Sequence, residues 1–311
     1  WGMETRDNLT ALFIRAMREK RPDVFILFEG FDRHSELLEL AGYASAGVYS
    51  WKPRNLFTEA VNDRGRIVSL GSYLKRLESC PRQLRDFLVS LGPEHDAFDF
   101  NDPWARLSAA EKRLLYAFYE FLPGSLLVFN GQIYGKEYSY RGKGAGIMAP
   151  MVKDARPAEL ADGKQLFTVR QRCPQLSAGE YLLLSDAQSD VVAICRFDEN
   201  ALVVGAFNLL SEKRVAGVSL RPVVALVYPG AEARVELEMS SLPLSGEGAC
   251  SGELTGQEIT ITCAPRSAGV FVVSRKGGIS SRDGGISRIG AVLFDADEVI
   301  FETASHYWHA W

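Results

Sequence analysis

Two acidic residues and a histidine follow apolar runs of the kind that form buried strands. Glu29 comes directly after the run Val24–Phe28, and His95 and Asp96 come shortly after the largely apolar run Phe87–Leu91. In parallel α/β folds the carboxyl ends of the strands line a cleft, so we expect these side chains to share one rim. Burial at a strand end raises the pKa of a carboxyl group, which lets it donate a proton near neutral pH. The pattern is compatible with Glu29 as a general acid, and it is also compatible with a solvated glutamate at a strand end.

A second pair of carboxylates, Asp295 and Asp297, follows the apolar segment Ile289–Phe294. This spacing allows one carboxylate to attack a phosphoryl group while the other transfers a proton. Mg²⁺ held by the two carboxylates would offset the repulsion between an anionic nucleophile and a phosphate. The spacing is compatible with a phosphoryl-transfer site with Mg²⁺ as its cofactor, and it is also compatible with an acidic turn between a strand and a loop.

The elements that must position Glu29, His95 and Asp96 alternate between helical and strand-like patterns. Apolar residues at i, i+3 and i+4 predict helices, and continuous apolar runs predict buried parallel strands. The predicted helices cover 9–19, 35–40, 73–78 and 109–121, and the predicted strands cover 24–28, 47–51, 87–91 and 125–129. This alternation is typical of parallel α/β folds. Four strands would make half of a closed eight-stranded barrel, with 165–172 as its last helix.

The sequence changes character after that helix. Short β-type segments separated by Gly, Pro, Asn and Ser predict an antiparallel sandwich. These segments are 181–184, 191–197, 201–209, 223–228, 233–238, 258–263 and 269–274. A flexible Gly/Ser-rich linker and then a new strand (289–294) and helical pattern (305–311) are expected after them. The predicted domains are a half barrel at 1–175, a sandwich at 176–275, a linker at 276–287 and the start of a further domain at 288–311.

Composition limits the class of protein. The formal net charge is −4 and no basic cluster occurs, so nucleic-acid binding is not predicted. No apolar run is long enough to span a bilayer, so no membrane partner is predicted either. The five cysteines are widely spaced and form no Cys-x-x-Cys pair, which predicts neither a zinc site nor a disulfide framework. A reducing compartment, the cytoplasm, is the expected location, and the oligomeric state stays open.

Several segments resemble the α-amylase family of retaining glycoside hydrolases and transglycosylases. Met17–Gly30 looks like that family's helix and strand ending in the acid/base Glu, and Phe87–Asp96 resembles its next-but-one strand. Leu122–Gly135 is similar to its last barrel strand, while Gln171–Leu184 and Val191–Asn208 resemble the passage into its C-terminal β domain. The resemblance implies an α/β chain with the second half of a (β/α)₈ TIM barrel followed by an antiparallel β-sandwich.

The same resemblance implies roles for the residues of the rim. Glu29 would protonate the leaving glycosidic oxygen and later deprotonate water or an acceptor sugar. His95 and Asp96 would hydrogen-bond sugar hydroxyls as the ring flattens toward an oxocarbenium ion. The implied substrates are α-glucosidic oligosaccharides such as maltodextrins, and this chemistry needs no cofactor. Further side chains that could contact sugar are His34, Tyr49, Trp51 and Tyr134.

The family's nucleophile is an Asp on the strand preceding the acid/base, with an Arg two residues before it. Neither Glu4 nor Asp7 follows an apolar strand. We therefore expect a fragment whose nucleophile is encoded upstream of Trp1. A retaining mechanism needs two carboxylates about 5 Å apart, and half a barrel leaves two sheet edges open. No hydrolysis is expected from this chain alone.

The segment Ala291–Trp311 resembles the opening of a haloacid-dehalogenase-type domain, most closely of the β-phosphoglucomutase type. This implies that Asp295 is the phosphoryl-accepting nucleophile, that Asp297 is the acid/base, and that both lie at the Mg²⁺ site of a Rossmann-like domain. Only the first strand of such a domain is present. That family has Gly after the second Asp, whereas this sequence has Glu298, so efficient activity is not expected.

The preferred interpretation is a glycosidase or transglycosylase fused to a sugar-phosphate mutase-like domain. One alternative is a non-catalytic amylase-like module that binds glucan or a partner. Another is a sugar phosphorylase or glucanotransferase that uses the same residues on a different acceptor.

Overall fold

The computed structural model describes much of the first half of the chain and nearly all of the sandwich region. The described residues are 12, 15–22, 27–28, 47–50, 52–80, 88–91, 107–127, 168–230, 234–242, 244 and 249–276. The predicted helices at 35–40 and 305–311, the strand at 289–294 and the predicted linker 276–287, apart from its first residue, lie outside them.

Four short strands of the first half form one parallel sheet. They are β1 (Leu27–Phe28), β2 (Gly47–Ser50), β3 (Leu88–Leu91) and β4 (Ser125–Leu127), in the order β1-β2-β3-β4. Every neighbouring pair is parallel. The prediction of four successive parallel strands is therefore confirmed, and their assignment to half of a barrel stays a prediction.

The helices between these strands follow the apolar spacing of the sequence. The described ones are α1 (Lys52–Asn62), a 3-10 turn (Arg64–Arg66), α2 (Ile67–Ser79) and α3 (Ala109–Phe121). Helix α3 has the predicted bounds and begins with a capping box between Ser108 and Glu111. Helix α2 begins six residues before the predicted 73–78, and α1 was not predicted although its buried residues have helical spacing. Residues 15–20, within or next to the predicted helix 9–19, are also helical.

Two antiparallel sheets follow, as the sequence predicts for a sandwich. The five-stranded sheet has the order β5-β6-β7-β12-β9, and the three-stranded sheet has the order β10-β11-β8. Their strands are β5 (Glu180–Leu183), β6 (Val191–Phe197), β7 (Leu202–Asn208), β8 (Arg214–Ser219), β9 (Leu237–Leu242), β10 (Ser251–Thr255), β11 (Glu258–Cys263) and β12 (Ser267–Arg275). Two short helices, α4 (Gln175–Ala178) and α5 (Arg221–Val227), lie before β5 and after β8.

Two predicted strands of this region are wrong. The segment 223–228 is the helix α5, because Pro222 suits a first helical turn and Val223, Val224 and Val227 are packed at helical spacing despite their preference for strands. The strand predicted at 233–238 begins only at Leu237. Strands β8 and β10 were not predicted, because small and polar residues interrupt their apolar pattern on a partly exposed sheet.

The expectation of no disulfide framework is also wrong. Cys250 and Cys263 form a disulfide, to which Cys80, Cys173 and Cys195 do not belong. A search for Cys-x-x-Cys misses this pair because its residues lie 13 apart, on the two arms of a hairpin. The sequence does contain a signal for this pair: the two cysteines are equally far from the turn at Gly256 and Gln257, so they face each other across the hairpin.

The five-stranded sheet is covered on both faces, which explains why β6 and β7 are buried throughout. One face packs against helices α1, α2 and α3 through residues such as Val192, Val203 and Val270. The other face packs against the three-stranded sheet through residues such as Val204 and Ile261. The helices, the large sheet and the small sheet are therefore three consecutive layers.

Aromatic residues close the contact between helix α3 and the large sheet. The ring of Phe207 lies edge-on to Phe118 and Phe121, with 5.5 Å between ring centroids in both pairs. Beside them, a Cβ on Gly205 would lie 2.8 Å from ring carbons of Phe121. The close approach of helix and sheet therefore requires glycine at this position of β7.

We expect Gly205→Ala to lower the free energy of unfolding by about 1–3 kcal/mol, because the added methyl group forces Phe121 out of its site. Urea unfolding followed by circular dichroism measures the change. The matched control is Gly217→Ala in β8, where the new Cβ would meet only the end of the flexible Glu258 side chain. Equal stability of the two variants would contradict the close-contact explanation.

Candidate active site

The carboxyl ends of the four parallel strands form the edge at which the sequence predicts catalytic side chains. Phe28 of β1 is aligned with Val48 of β2, and Val48 is aligned with Leu88 of β3. Strand β2 alone therefore separates β1 from β3. Since neighbouring strands are about 4.8 Å apart, β1 and β3 are roughly 10 Å apart.

Tyr49 is the predicted sugar-contacting residue that belongs to a described strand. It lies in β2, where its backbone is aligned with Val89 of β3. In the sequence, Glu29 is the next residue after β1 and Trp51 is the next residue after β2. Most of the predicted site residues lie outside the described residues: Glu29, His34, Trp51, His95, Asp96, Tyr134, Asp295 and Asp297. Their roles stay predictions.

An ion pair between the half-buried Arg170 and the buried Glu120 holds the segment that leads into β4. Arg170 donates a hydrogen bond from Nη1 to Oε2 of Glu120 (3.3 Å) and from Nη2 to the carbonyl of Gly124 (3.1 Å). Gly124 has a φ of +88°, a backbone conformation that favours glycine, and it directly precedes β4. Arg170 therefore fixes the point at which β4 begins relative to helix α3.

The environment of Glu120 explains why it needs this partner. Its side chain is almost completely buried, and burial raises the pKa of the carboxyl group, while the Arg170 guanidinium lowers it in part. Desolvation is the larger of these effects. The arginine therefore offsets a cost that the burial of Glu120 imposes on the folded chain.

A fully buried arginine joins the end of α3 to the sandwich. Arg196 in β6 donates from Nη1 to the carbonyl of Leu122 (2.9 Å) and from Nη2 to the carbonyl of Gly179 (2.8 Å). Its side chain is 1% exposed. Because Leu122 caps the C-terminus of α3, Arg196 satisfies a carbonyl that the helix itself leaves without a partner.

Helix α2 is attached to β5 in a similar way. The Glu78 carboxylate accepts a hydrogen bond from the Leu183 amide (3.0 Å), and the Tyr181 hydroxyl donates to the Leu74 carbonyl (3.4 Å). A Cβ on Gly71 would lie 2.5 Å from the Cα of Ala187, so α2 and the loop after β5 are in direct backbone contact. The sandwich therefore supports both α2 and α3, the helices before β3 and β4.

Sequence reasoning missed these positioning residues. Arg196 interrupts the apolar strand Val191–Phe197, and Glu120 lies among the apolar residues of α3. A charged residue inside an apolar pattern is the signal that could have found both, because such a group must have a buried partner.

The described ranges contain neither a cluster of metal ligands nor a membrane-spanning helix. No group of three or more His, Cys, Asp or Glu side chains there is arranged to hold a metal ion. In the same ranges, no helix combines the length and the apolar character that a membrane span needs.

Comparison with known proteins finds similarity at the level of structure. No family model matches the sequence, and no curated protein matches it significantly. An α-amylase from Geobacillus thermoleovorans, solved with acarbose, matches with a TM-score of 0.65 and 15% identity over 87% of this chain and 57% of that one. A debranching enzyme from Nostoc punctiforme, soaked with acarbose, matches with a TM-score of 0.61 and 15% identity over 84% and 53%.

A third match is the cyclic α-maltosyl-(1-6)-maltose hydrolase from Arthrobacter globiformis, with a TM-score of 0.60 and 17% identity over 86% of this chain and 53% of that one. At such identities the similarity establishes the fold, which this chain shares with α-amylase-type glycosidases over most of its length. The chain spans a little over half the length of these proteins.

We expect Arg170→Met to lower the free energy of unfolding by about 2–4 kcal/mol near pH 7, because it leaves a buried carboxylate without its cation. Because burial raises the pKa of Glu120, the folded chain binds this proton more tightly than the unfolded chain does. The stabilisation that comes from binding this proton is present below the ordinary pKa of Glu. It is lost as the pH rises through the pKa that Glu120 has in the folded chain. The loss in Arg170→Met should therefore shrink near pH 4.

Unfolding free energies measured between about pH 4 and pH 7 test this. The control is Arg64→Met, which breaks the exposed pair with Asp190 and should cost less than about 1 kcal/mol. A cost of Arg170→Met that does not change with pH would show that the charge of Glu120 is not involved.

Proposed function

We propose that the chain contributes to a retaining glycoside hydrolase or transglycosylase that acts on α-glucans. The observation that carries the proposal is its fold, which matches glycosidases named for such substrates or solved with acarbose. In barrels built from parallel strands and helices, the chemistry is performed at the carboxyl ends of the strands. The candidate edge of the sheet is therefore where substrate should bind.

The order of the strands supports a role for the residues that follow them. Glu29 follows β1 in the sequence, and His95 and Asp96 follow β3, with β2 between the two strands. The carboxyl ends of parallel strands lie at one edge, so groups after β1 and β3 are within reach of one bound oligosaccharide. In this proposal Tyr49, Trp51 and His34 contact neighbouring sugar rings.

In the proposed chemistry, Glu29 donates a proton in the first step and accepts one in the second. As a neutral acid it protonates the departing glycosidic oxygen, and as a carboxylate it then removes a proton from water or from an acceptor sugar. His95 and Asp96 hold hydroxyl groups of the sugar at which the bond breaks. Water as the acceptor gives hydrolysis, and a sugar hydroxyl gives transfer.

Retention of configuration needs a second carboxylate, about 5 Å from the acid/base. We propose that β1–β4 are the second half of a (β/α)₈ barrel and that the first half supplies the nucleophile. The extent of the structural similarity supports this proposal, since the chain covers only 53–57% of each similar glycosidase. The additional phosphoryl-transfer site, with Asp295 and Asp297 holding Mg²⁺, is supported by its sequence pattern alone.

We expect Glu29→Ala, made in the complete gene product, to lower kcat/KM on maltodextrins by about 10²–10⁴-fold, because no proton reaches the leaving oxygen. The loss should be much smaller on a 4-nitrophenyl maltoside, whose leaving group needs no proton. Sodium azide should restore turnover of that substrate and give a glycosyl azide of retained configuration, since azide needs no general base. Steady-state kinetics and NMR of the product measure these effects.

The matched control is Glu19→Ala, which removes an exposed glutamate from the helix before β1 and should leave the kinetics unchanged. A variant at Glu29 that hydrolyses maltodextrins at the original rate would remove Glu29 from the mechanism. Binding of maltodextrins without any turnover by the unmutated gene product would favour the non-catalytic module instead.

A further inference from the structure

The disulfide between Cys250 and Cys263 lies at the open end of a hairpin. Ser251 of β10 is aligned with Thr262 of β11, so the two cysteines are the next opposed pair of the ladder. Their Cα atoms are 4.0 Å apart. The bond therefore fastens the two arms of the hairpin at the end far from its turn.

Both cysteines are inside the sandwich. Cys250 is 7% exposed and Cys263 is fully buried, and both belong to the core between the large and the small sheet. Strand β12 of the large sheet makes room for them: a Cβ on Gly269 would lie 2.7 Å from the Cβ of Cys250. The disulfide is thus packed directly against the neighbouring sheet, where a reductant in solution cannot reach it while the sheets are packed.

The other thiols in the described part of the chain are poorly suited to thiol–disulfide exchange with this bond. Cys173 and Cys195 are buried, and burial raises the pKa of Cys173 to about 11 and raises that of Cys195 still further. Thiol–disulfide exchange requires the thiolate, so these two cysteines exchange slowly at neutral pH. Cys80 is half-buried in another part of the fold, at the end of α2.

We propose that the Cys250–Cys263 disulfide forms during folding in an oxidising compartment, before the two sheets pack. The packing of the sheets then shields the disulfide from reductants. The oxidant is a small-molecule disulfide such as oxidised glutathione. One protein thiolate displaces one half of that disulfide, and the second thiolate then displaces the other half. The protein gains one S–S bond, and two small thiols leave with the two protons.

This proposal replaces the cytoplasm, expected from the cysteine spacing, with a location where disulfides persist. It is independent of the proposed enzymatic function, because the small sheet lies on the face of the large sheet opposite the helices. Loss of glycosidase activity in other variants would not affect it.

The experiment compares the 311-residue chain produced in an oxidising compartment, the bacterial periplasm, with the same chain produced in the cytoplasm. Thiols are counted by maleimide labelling and mass spectrometry in denaturant, without reductant. We expect three labelled cysteines in the periplasmic protein and five in the cytoplasmic protein. We also expect the cytoplasmic protein to melt about 5–10 °C lower, because the cross-link restricts the unfolded chain.

Shielding is tested on the periplasmic protein with dithiothreitol. The thiol count should stay at three under native conditions and rise to five when urea is added. The Cys250→Ser/Cys263→Ser variant should have the same melting temperature from either compartment. The Cys80→Ser variant should still show the difference in melting temperature between the two compartments. Five labelled thiols in the folded periplasmic protein would overturn the cross-link, and reduction at equal rates with and without urea would overturn the shielding.

Discussion

Phe207 lies edge-on against Phe118 and Phe121, and through this contact the helices of the first half of the chain and the five-stranded sheet share one core. The large sheet must therefore be apolar on its helix-facing side as well as on the side that meets the small sheet. Gly205 allows the helix to approach, and Arg196 supplies hydrogen bonds where the end of α3 would otherwise leave a carbonyl unsatisfied. The rest of the architecture is arranged around this contact.

This shared core links the sandwich to the parallel sheet. Helix α3 leads through Leu122 and Gly124 into β4, and these two residues are held by Arg196 and Arg170. Helix α2, which precedes β3 in the chain, is held by the contacts of Glu78 and Gly71 with the segment that follows α4. A glycosidase that places its substrate at the carboxyl ends of these strands would depend on the sandwich for the positions of the strands.

Much of this fold could be predicted from the sequence where the local pattern and the final environment agree. The bounds of α3 and β6 were predicted correctly, because α3 is amphipathic with a capping box and β6 is apolar except for Arg196. The prediction failed where packing overrides local preference: valines that favour a strand form α5 because their helical spacing fits the core. The disulfide was missed because its spacing has meaning only once the hairpin register is known.

The candidate site was predictable only in part. The apolar runs before Glu29 and before His95 indicate strands of one parallel sheet, and the described strands agree with this. The chemical roles came from resemblance, because a carboxylate after a strand is compatible with many reactions. The partners of the residues that position the strands are not encoded locally, because Arg170 contacts Gly124 and Arg196 contacts Leu122, each more than 45 residues away along the chain.

The most direct test of the account is a crystal structure of the complete gene product with acarbose, the ligand present in the similar α-amylase and debranching enzyme. The account predicts acarbose at the carboxyl ends of β1–β4, with a carboxylate oxygen of Glu29 within about 2.6–3.2 Å of the nitrogen that replaces the scissile glycosidic oxygen. Acarbose bound at this edge with Glu29 directed away from it, or bound only elsewhere on the protein, would contradict the account.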